Sequence, residues 1–569
     1  MQENQNSTEI LQQLSKIAVA LSANRDQAAL QSEIIQGAKS ICRADGASFY
    51  LLSPDQKSLN FQVISNDVLD IHMGGTWSEV TIPPLAMYLP DGQSENLGNV
   101  AVASLHKMQT INIADVYREE KFDLSGTKKF DESNDYQTLS ILTIPMRDTQ
   151  GAPLGVLQII NAREETGQTK AFDTELVSIA EAIASQVSVA YTNYRMMREQ
   201  EQLWESMLEM LAVSIDEKSP YTSGHCQRVP ILTQMIAEKV NAETEGSLGA
   251  VHLDTTQLYE LNVAALLHDV GKLTTPEFVV DKATKLETIS NRLHAIRARF
   301  EVLWRDAQIA RLEKELQGGD IQALDAELQQ RQQELHDQYR IVATCNVGNE
   351  FLDPDSAEQV RNIAAQTYQG YFPSDQGISD EEHIRLKERG YTFHEGESCA
   401  LIDDVEQIHA YAGTELENLL ISRGTLNEAE RQKIQDHAAV GIRMLEGLPF
   451  PRHLADVVAT AGAHHERLDG KGYPFGISAE KISLPARMLA MADIYEALTA
   501  SDRPYKKAKP QSVCLKIMAH MVQEKHLDKE LFCIFLQSGL WKEYGEQHLK
   551  ENQRDHVDLD KIFRILEAA

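Results

Sequence analysis

One long apolar seam divides this chain into two different kinds of sequence. From Asp173 to about Ile215, apolar residues return every three or four positions: Leu176, Ile179, Ile183, Val187, Ala190, Tyr194 and Met197, then Trp204, Met207 and Leu211. That period is the apolar face of a helix. A seam of this length between two regions predicts a connecting helix over 173–215 that pairs in parallel with a second copy, so a homodimer is expected. Intramolecular packing of the same face is the alternative. Before the seam the chain alternates in the manner of strands, and after it nearly everything reads as helix. At 569 residues the chain is too long for one ordinary core, and two or more domains are expected.

The first half is read as two amphipathic helices followed by hairpins. Leu11, Leu14, Ala18 and Leu21 make one apolar face, and Leu30, Ile34, Ala38 and Ile41 a second. Phe49 and Leu51, a polar SPDQK turn, then Leu59, Phe61 and Val63 predict a β-hairpin. A further strand pair, LSILTIPM and PLGVLQIIN, flanks RDTQGA. The sum is an antiparallel sheet flanked by helices. The stretch Tyr136 to Asn161 resembles a GAF domain, and the resemblance covers residues 8–195. It implies an α/β sensor domain for an unidentified small ligand, or for dimerisation. Cyclic-nucleotide-binding members carry an Asn-Lys pair, followed by Phe and then Asp-Glu. Here Ala162 stands at the lysine position, and Asp173 and Glu175 follow Phe172 out of that spacing.

Charge and cysteines narrow the partners. A net charge of −31 repels duplex nucleic acid, so an anionic substrate has to be met by metal ions or a few placed cations. Six scattered cysteines without a CxxC pair point to reduced thiols in the cytoplasm rather than a disulfide framework or zinc ribbon. The polar start MQENQNSTEI shows no signal peptide, and no apolar run approaches the roughly 18–20 residues that span a bilayer.

Residues 216–550 carry the chemistry. Within them 284–422 reads as an insertion built on a helical hairpin. Ile289, Leu293, Ile296, Phe300 and Leu303 lead to the breaker Gly318-Gly319-Asp320, and Ile321, Leu324, Leu328 and Leu335 return. The apolar helix TTQLYELNVAALL runs into His268-Asp269 and closes with Gly271-Lys272. Imidazole gives one nitrogen to one ion, whereas a carboxylate has two oxygens and can bridge two, so adjacent His and Asp suit a metal pair. His464-His465 follow VVATAGA and precede the sharply turned DGKGYP loop. His225 opens an amphipathic helix with Val229, Leu232 and Ile236. His437 lies on a helix whose start shows a capping box, Thr425 with Glu428. Asp493 sits in the apolar helix LAMADIYEALT, where an unpaired carboxylate is costly.

Together, HD…K, HHExxDGxGYP, ADIYEALT and the RPYKKA tail resemble the HD-GYP subgroup of HD-domain phosphohydrolases, over 212–545 without the insertion. The expected architecture is therefore multidomain: an α/β GAF-type sensor domain, a long linker helix, and an all-α HD-GYP domain with an inserted helical hairpin. The resemblance implies hydrolysis of cyclic di-GMP to pGpG or GMP at two divalent ions, iron or manganese, with zinc or nickel also compatible with the donors. One ion would be held by His225, His268, Asp269 and Asp493; the second by Asp269, His437, His464 and His465. Lys272 would face the scissile phosphate, Arg503 and Lys506 the second phosphate, and Tyr473 would stack on or hydrogen-bond the dinucleotide. Some members hold a third ion through a glutamate where this chain has Tyr221, so two ions are expected. Cyclic GMP-AMP is an alternative substrate, and a catalytically weak cyclic-dinucleotide receptor an alternative role.

Overall fold

The structure is a computed structural model and describes residues 26–164, 166–218, 224–348, 351–393, 398–405, 411–500 and 508–567. The helix expected around Leu11–Leu21, Tyr221, and the cations Arg503 and Lys506 lie outside them. The chain divides into two compact units, Met1–Trp204 and Glu205–Ala569.

In the first unit, helix α1 (Gln27–Cys42) starts where the Asp26 carboxylate accepts the Ala28 N–H. It buries the expected face, Leu30, Ile34, Ala38 and Ile41. Strands β1 (Ala44–Leu52) and β2 (Ser58–Asn66) form the expected hairpin, with Phe49 opposite Val63. Phe49 and Tyr50 are both buried, on opposite faces of the sheet, as neighbouring residues of a strand alternate. The sheet continues through β3 (Ile71–Gly74), β4 (Leu85–Ala86), β5 (Ile111–Ile113), β6 (Ile141–Arg147), β7 (Pro153–Arg163) and β8 (Thr169–Lys170). Its antiparallel order is β3-β2-β1-β7-β6-β5, with β4 beside β2 and β8 beside β7. Helix α2 (Val100–Lys107) packs on the Tyr50 and Val156 face, and α3 (Ser125–Asn134) precedes β6.

Helix α4 (Thr174–Lys218) runs unbroken through the connecting segment. The seam read from the sequence is only partly available to a second copy. Ile183, Val187 and Tyr191 are buried in the first unit's own core with Phe49 and Leu157, because one face of the sheet needs that cover.

The second unit opens with α5 (His225–Asn241) and α6 (Thr255–Leu267), the latter capped by Asp254 and Gln257. A 3₁₀ turn (Val270–Thr274) and α7 (Glu277–Val280) lead into the insertion. Helices α8 (Leu293–Leu316) and α9 (Ile321–Val347) are the expected hairpin. The insertion is more than a hairpin, however. It adds α10 (Pro354–Ala364), strand β9 (Thr367–Gln369), α11 (Asp380–Glu388), strand β10 (Ser398–Ala400) paired with β9, and α12 (Glu415–Leu419). Ile296, Phe300, Leu335, Val342, Ile363 and Leu401 give it a core of its own. Its ends meet at a staple: the buried Lys282 ammonium donates to both Glu430 carboxylate oxygens at 2.7 Å and to Asn418 at 3.0 Å.

Beyond the insertion come α13 (Glu428–Glu446), α14 (Val457–Gly462), α15 (Leu484–Thr499), α16 (Gln511–Gln523), α17 (Lys529–Gln537), α18 (Leu540–His548) and α19 (Leu559–Glu567). The capping box of α13 lies two residues later than the sequence suggested. Asn427 is the cap and Glu430 its partner, while the Thr425 hydroxyl donates to the Lys282 carbonyl oxygen. Glu428 occupies the first helical position and cannot reach back. The main core of this unit joins α5, α6 and α15 to α16–α19.

Candidate metal centre

The seven side chains expected as metal ligands come together: five are delivered at or beside helix ends, Asp493 by an apolar helix and His437 by the buried face of α13. Leu261, Val263, Ala264 and Leu267 bury α6, so its C-terminus carries His268 and then Asp269 inward. Gly271 is essential to the approach of α13, because a Cβ there would lie 1.9 Å from the His437 carbonyl oxygen. Helix α14 ends just before His464 and His465, α5 begins at His225, and Asp493 is buried in α15.

The donor atoms sort into three groups, the third sharing a residue with each of the other two. His225, His268 and Asp493 offer atoms within 4.8 Å of one another, as do His437, His464 and His465, and as do His268, Asp269 and His464. Asp269 stands between the first two groups. Its Oδ2 is 3.4 Å from His225 Nε2 and 3.3 Å from His268 Nε2, and its Oδ1 is 3.4 Å from His437 Nε2.

The rings are held by their far nitrogens. His268 Nδ1 contacts the Ala265 carbonyl at 2.7 Å, His464 Nδ1 that of Ala461 at 2.6 Å, and His437 Nδ1 that of Ile434. Each carbonyl accepts from Nδ1–H, which leaves Nε2 with its lone pair toward the centre. Burial, then His465 and His268, push the His464 imidazole well below its ordinary range. Burial, with His437 adding to it against the pull of Asp493, brings His465 down to about 3. Both are therefore neutral donors at neutral pH. Burial pushes the Asp269 carboxyl up, but Lys272, His268 and the hydrogen bond from His225 outweigh it and hold it well below the usual carboxylate range. For Asp493 the opposing effect of burial is likewise overcome, here by His225, His268 and His465.

Whether these residues fit metal ions can be tested on the unpaired atoms. His268 Nε2, His437 Nε2, His464 Nε2 and Asp269 Oδ1 are buried without a hydrogen-bond partner. Leaving such atoms unsatisfied costs about 1–3 kcal/mol each. Four of them converging on one point, from imidazoles and a carboxylate, are a donor set that divalent ions satisfy.

Residues not foreseen from the sequence support the ligands. Glu496, one turn after Asp493 on α15, accepts from His225 Nδ1 and, at 2.6 Å, from Arg228 Nε. Its place three residues after Asp493 in an apolar helix was the available signal. Glu466 is buried and accepts the N–H groups of Phe475, Gly476 and Ile477 at 2.8, 3.2 and 3.1 Å, so it latches the DGKGYP loop shut. Tyr473 thereby lies against His465, ring centroids 4.6 Å apart. Lys272, expected to face a phosphate, has its ammonium 2.5 Å from Asp269 Oδ2.

Residues 27–191 match the GAF domain and residues 410–531 the HD domain. The chain thus carries a GAF domain followed by an HD domain, an α/β sheet unit ahead of a mostly helical one. The HD match begins only toward the end of the insertion, so His225, His268 and Asp269 fall outside it. Among curated relatives, the chain is 36% identical over 139 residues to the 3'3'-cGAMP-specific phosphodiesterase 1 of Vibrio cholerae, covering 24% of this chain and 30% of that protein. It is 41% identical over 120 residues to a cyclic di-GMP phosphodiesterase of Pseudomonas aeruginosa, covering 21% of this chain and 28% of that protein. The matched segments therefore span less than a third of these relatives. A GAF domain from an Acinetobacter phosphoenolpyruvate-protein phosphotransferase covers 34% of this chain and 98% of its own length, at 12% identity and a TM-score of 0.23.

Proposed function

We propose that this chain is a metal-dependent phosphodiesterase that opens a cyclic dinucleotide, cyclic di-GMP giving pGpG or GMP. The observation that supports the reading is Asp269, which faces His225 and His268 with one carboxylate oxygen and His437 with the other, among buried Nε2 atoms that have no hydrogen-bond partner. One ion is assigned to His225, His268, Asp269 and Asp493, and the other to Asp269, His437, His464 and His465. Iron or manganese fits these donors, with zinc or nickel as alternatives. When bound, two such ions neutralise phosphate charge and acidify the attacking water.

The chain's own groups supply the rest. Lys272 is a quarter exposed beside Asp269, so its ammonium can turn toward the phosphate and stabilise the charge that develops there. Burial, reinforced by Asp493 and Asp269, raises the Tyr473 hydroxyl above its ordinary value, so it remains a hydrogen-bond donor to the dinucleotide. Arg503 and Lys506 are assigned to the second phosphate on sequence grounds alone. The GAF domain is assigned an unidentified small ligand that regulates the hydrolase.

A second substrate is favoured by a specific observation: three relatives are named as specific for 3'3'-cGAMP. Side-by-side incubation of metal-loaded protein with cyclic di-GMP and 3'3'-cGAMP, with chromatography of the products, distinguishes the two. Binding without release of a linear product would overturn the enzyme reading in favour of a receptor.

We also assign a homodimer, with a seam different from the buried one. Val189, Met196, Leu203 and Met210 of α4 are exposed and recur every seven residues, supplying one of the two apolar positions of a heptad. The six free cysteines fit the cytoplasm, and no described helix is long and apolar enough to cross a membrane.

A further inference from the structure

Helix α5 carries His225 as its first residue, and the orphaned N–H groups of a first turn need acceptors. The preceding residue cannot supply one: Gly224 has no side chain and adopts the left-handed region at φ 76°. The acceptor comes from the last turn of α4. Asp216, itself buried, accepts the Gly224 N–H at 3.0 Å and the Cys226 N–H at 3.2 Å, on either side of His225. A carboxylate there also complements the positive end of the α5 dipole.

Two residues further along the same turn, Lys218 reaches the other segment of the site. Its ammonium donates to the Lys272 carbonyl at 2.8 Å and to that of Leu273. These carbonyls belong to the 3₁₀ turn that directly follows Asp269. One helical turn therefore grips both the start of the helix that presents His225 and the turn that presents His268 and Asp269. The distances it governs are the 3.4 Å from His225 Nε2 to Asp269 and the 3.2 Å from His225 Nε2 to Asp493. His464 and His465 follow α14 and neither contact touches them, whereas His437 on α13 meets the same 3₁₀ turn only through Gly271.

We propose that Asp216 and Lys218 are positioning residues that set His225 against His268 and Asp269, and that their loss weakens the hold on the ion in this half of the metal centre while the three-histidine half keeps its ion. The proposal rests on the two-ion reading above.

The test is manganese titration into metal-free full-length protein by calorimetry, with metal content by mass spectrometry and a thermal melt of each metal-free variant. Wild type is expected to bind two ions per chain. Asp216→Ala and Lys218→Met are expected to keep one ion and to weaken the other by about 10–100-fold, the range for groups that orient ligands. Asp216→Asn, which retains one acceptor oxygen, is expected to recover part of that loss. Glu209→Gln, an exposed change on the same helix, is expected to bind as wild type. A variant that binds both ions at wild-type affinity, or loses both together with an unchanged melt, overturns the clamp alone. Loss of both ions with a collapsed melt in Asp216→Ala and Lys218→Met alike also overturns it, since the two contacts would then serve the fold. Wild type that takes up no ion overturns the metal reading itself, and the clamp with it.

Discussion

Asp269 offers one oxygen to each half of the centre, and no neighbour can replace it. Asp269→Ala is expected to release both ions and abolish turnover, whereas Glu496→Gln is expected to lower metal affinity by about 10–100-fold through a loosened His225; metal content measured beside turnover separates the two. Protons should report on the same asymmetry. Burial alone would lower the His225 pKa, but hydrogen bonds with Asp269, Asp493 and Glu496 raise it well above its ordinary value. In metal-free protein His225 therefore carries a proton at neutral pH that an ion must displace, while His464 and His465 are already neutral. Manganese binding should then release a proton and weaken as the pH falls. Calorimetry in buffers of different ionisation enthalpy would show this, and a buffer-independent enthalpy would refute it. The candidate ligands stood out in the sequence where a polar group meets an apolar helix, as at His268, His464 and Asp493, while His225 and His437 lie on amphipathic helices. Glu466 and Glu496 were overlooked, although Glu496 stands one turn after Asp493 and the N–H groups that Glu466 accepts belong to the loop directly following it.

At the scale of elements, two close contacts hold the ligand-bearing segments in register. Gly271 meets α13 where even a Cβ would lie 1.9 Å from the His437 carbonyl. Gly271→Ala must push α13 away, and a loss of about 1–3 kcal/mol is expected from such overpacking, with weaker metal binding through His437. The Lys282–Glu430 pair is fully buried, so removing one partner strands the other charge. Lys282→Met is expected to cost about 3–5 kcal/mol, and Lys282→Met with Glu430→Gln to recover most of it, because glutamine keeps the cap of α13 without the charge. Denaturant unfolding of the three proteins checks this; equal losses in single and double variants would show that the charge is not what matters. Helix existence was legible here from three-and-four periodicity, which fixed α4 and the α8–α9 hairpin. Which face of α4 is free was not, because Ile183 and Val187 serve the sheet's core and leave Val189, Met196, Leu203 and Met210 outside. Leu203→Glu is accordingly expected to shift the protein from dimer to monomer by light scattering, and Val187→Glu to unfold the first unit instead.

For the whole molecule, the sequence led to the expectation that 284–422 interrupts the chemistry, but not that this stretch folds around its own centre. Residues 350–420 lack a clear period because they build short elements, α10–α12 and the β9–β10 pair, whose order comes from packing on Val342, Leu401 and Leu419. The main core of the second unit contains no residue of this stretch. Its two ends are also already together, since the Thr425 hydroxyl donates to the Lys282 carbonyl at 3.1 Å. Closing that gap with a short glycine-serine linker should therefore cost little, because loop entropy changes only about 0.6 kcal/mol for each doubling of length. Replacing 284–422 in this way does remove the Asn418 contact to Lys282, so a modest loss of stability is expected, smaller than that of Lys282→Met. Both ions and the turnover of a cyclic dinucleotide should survive, as every assigned ligand lies outside the replaced stretch. Loss of the ions would mean that the insertion braces α13 and α6 across the site. Retention of both ions with a raised KM would instead place part of the dinucleotide against the insertion, and kinetics on the replaced and intact proteins tell these outcomes apart.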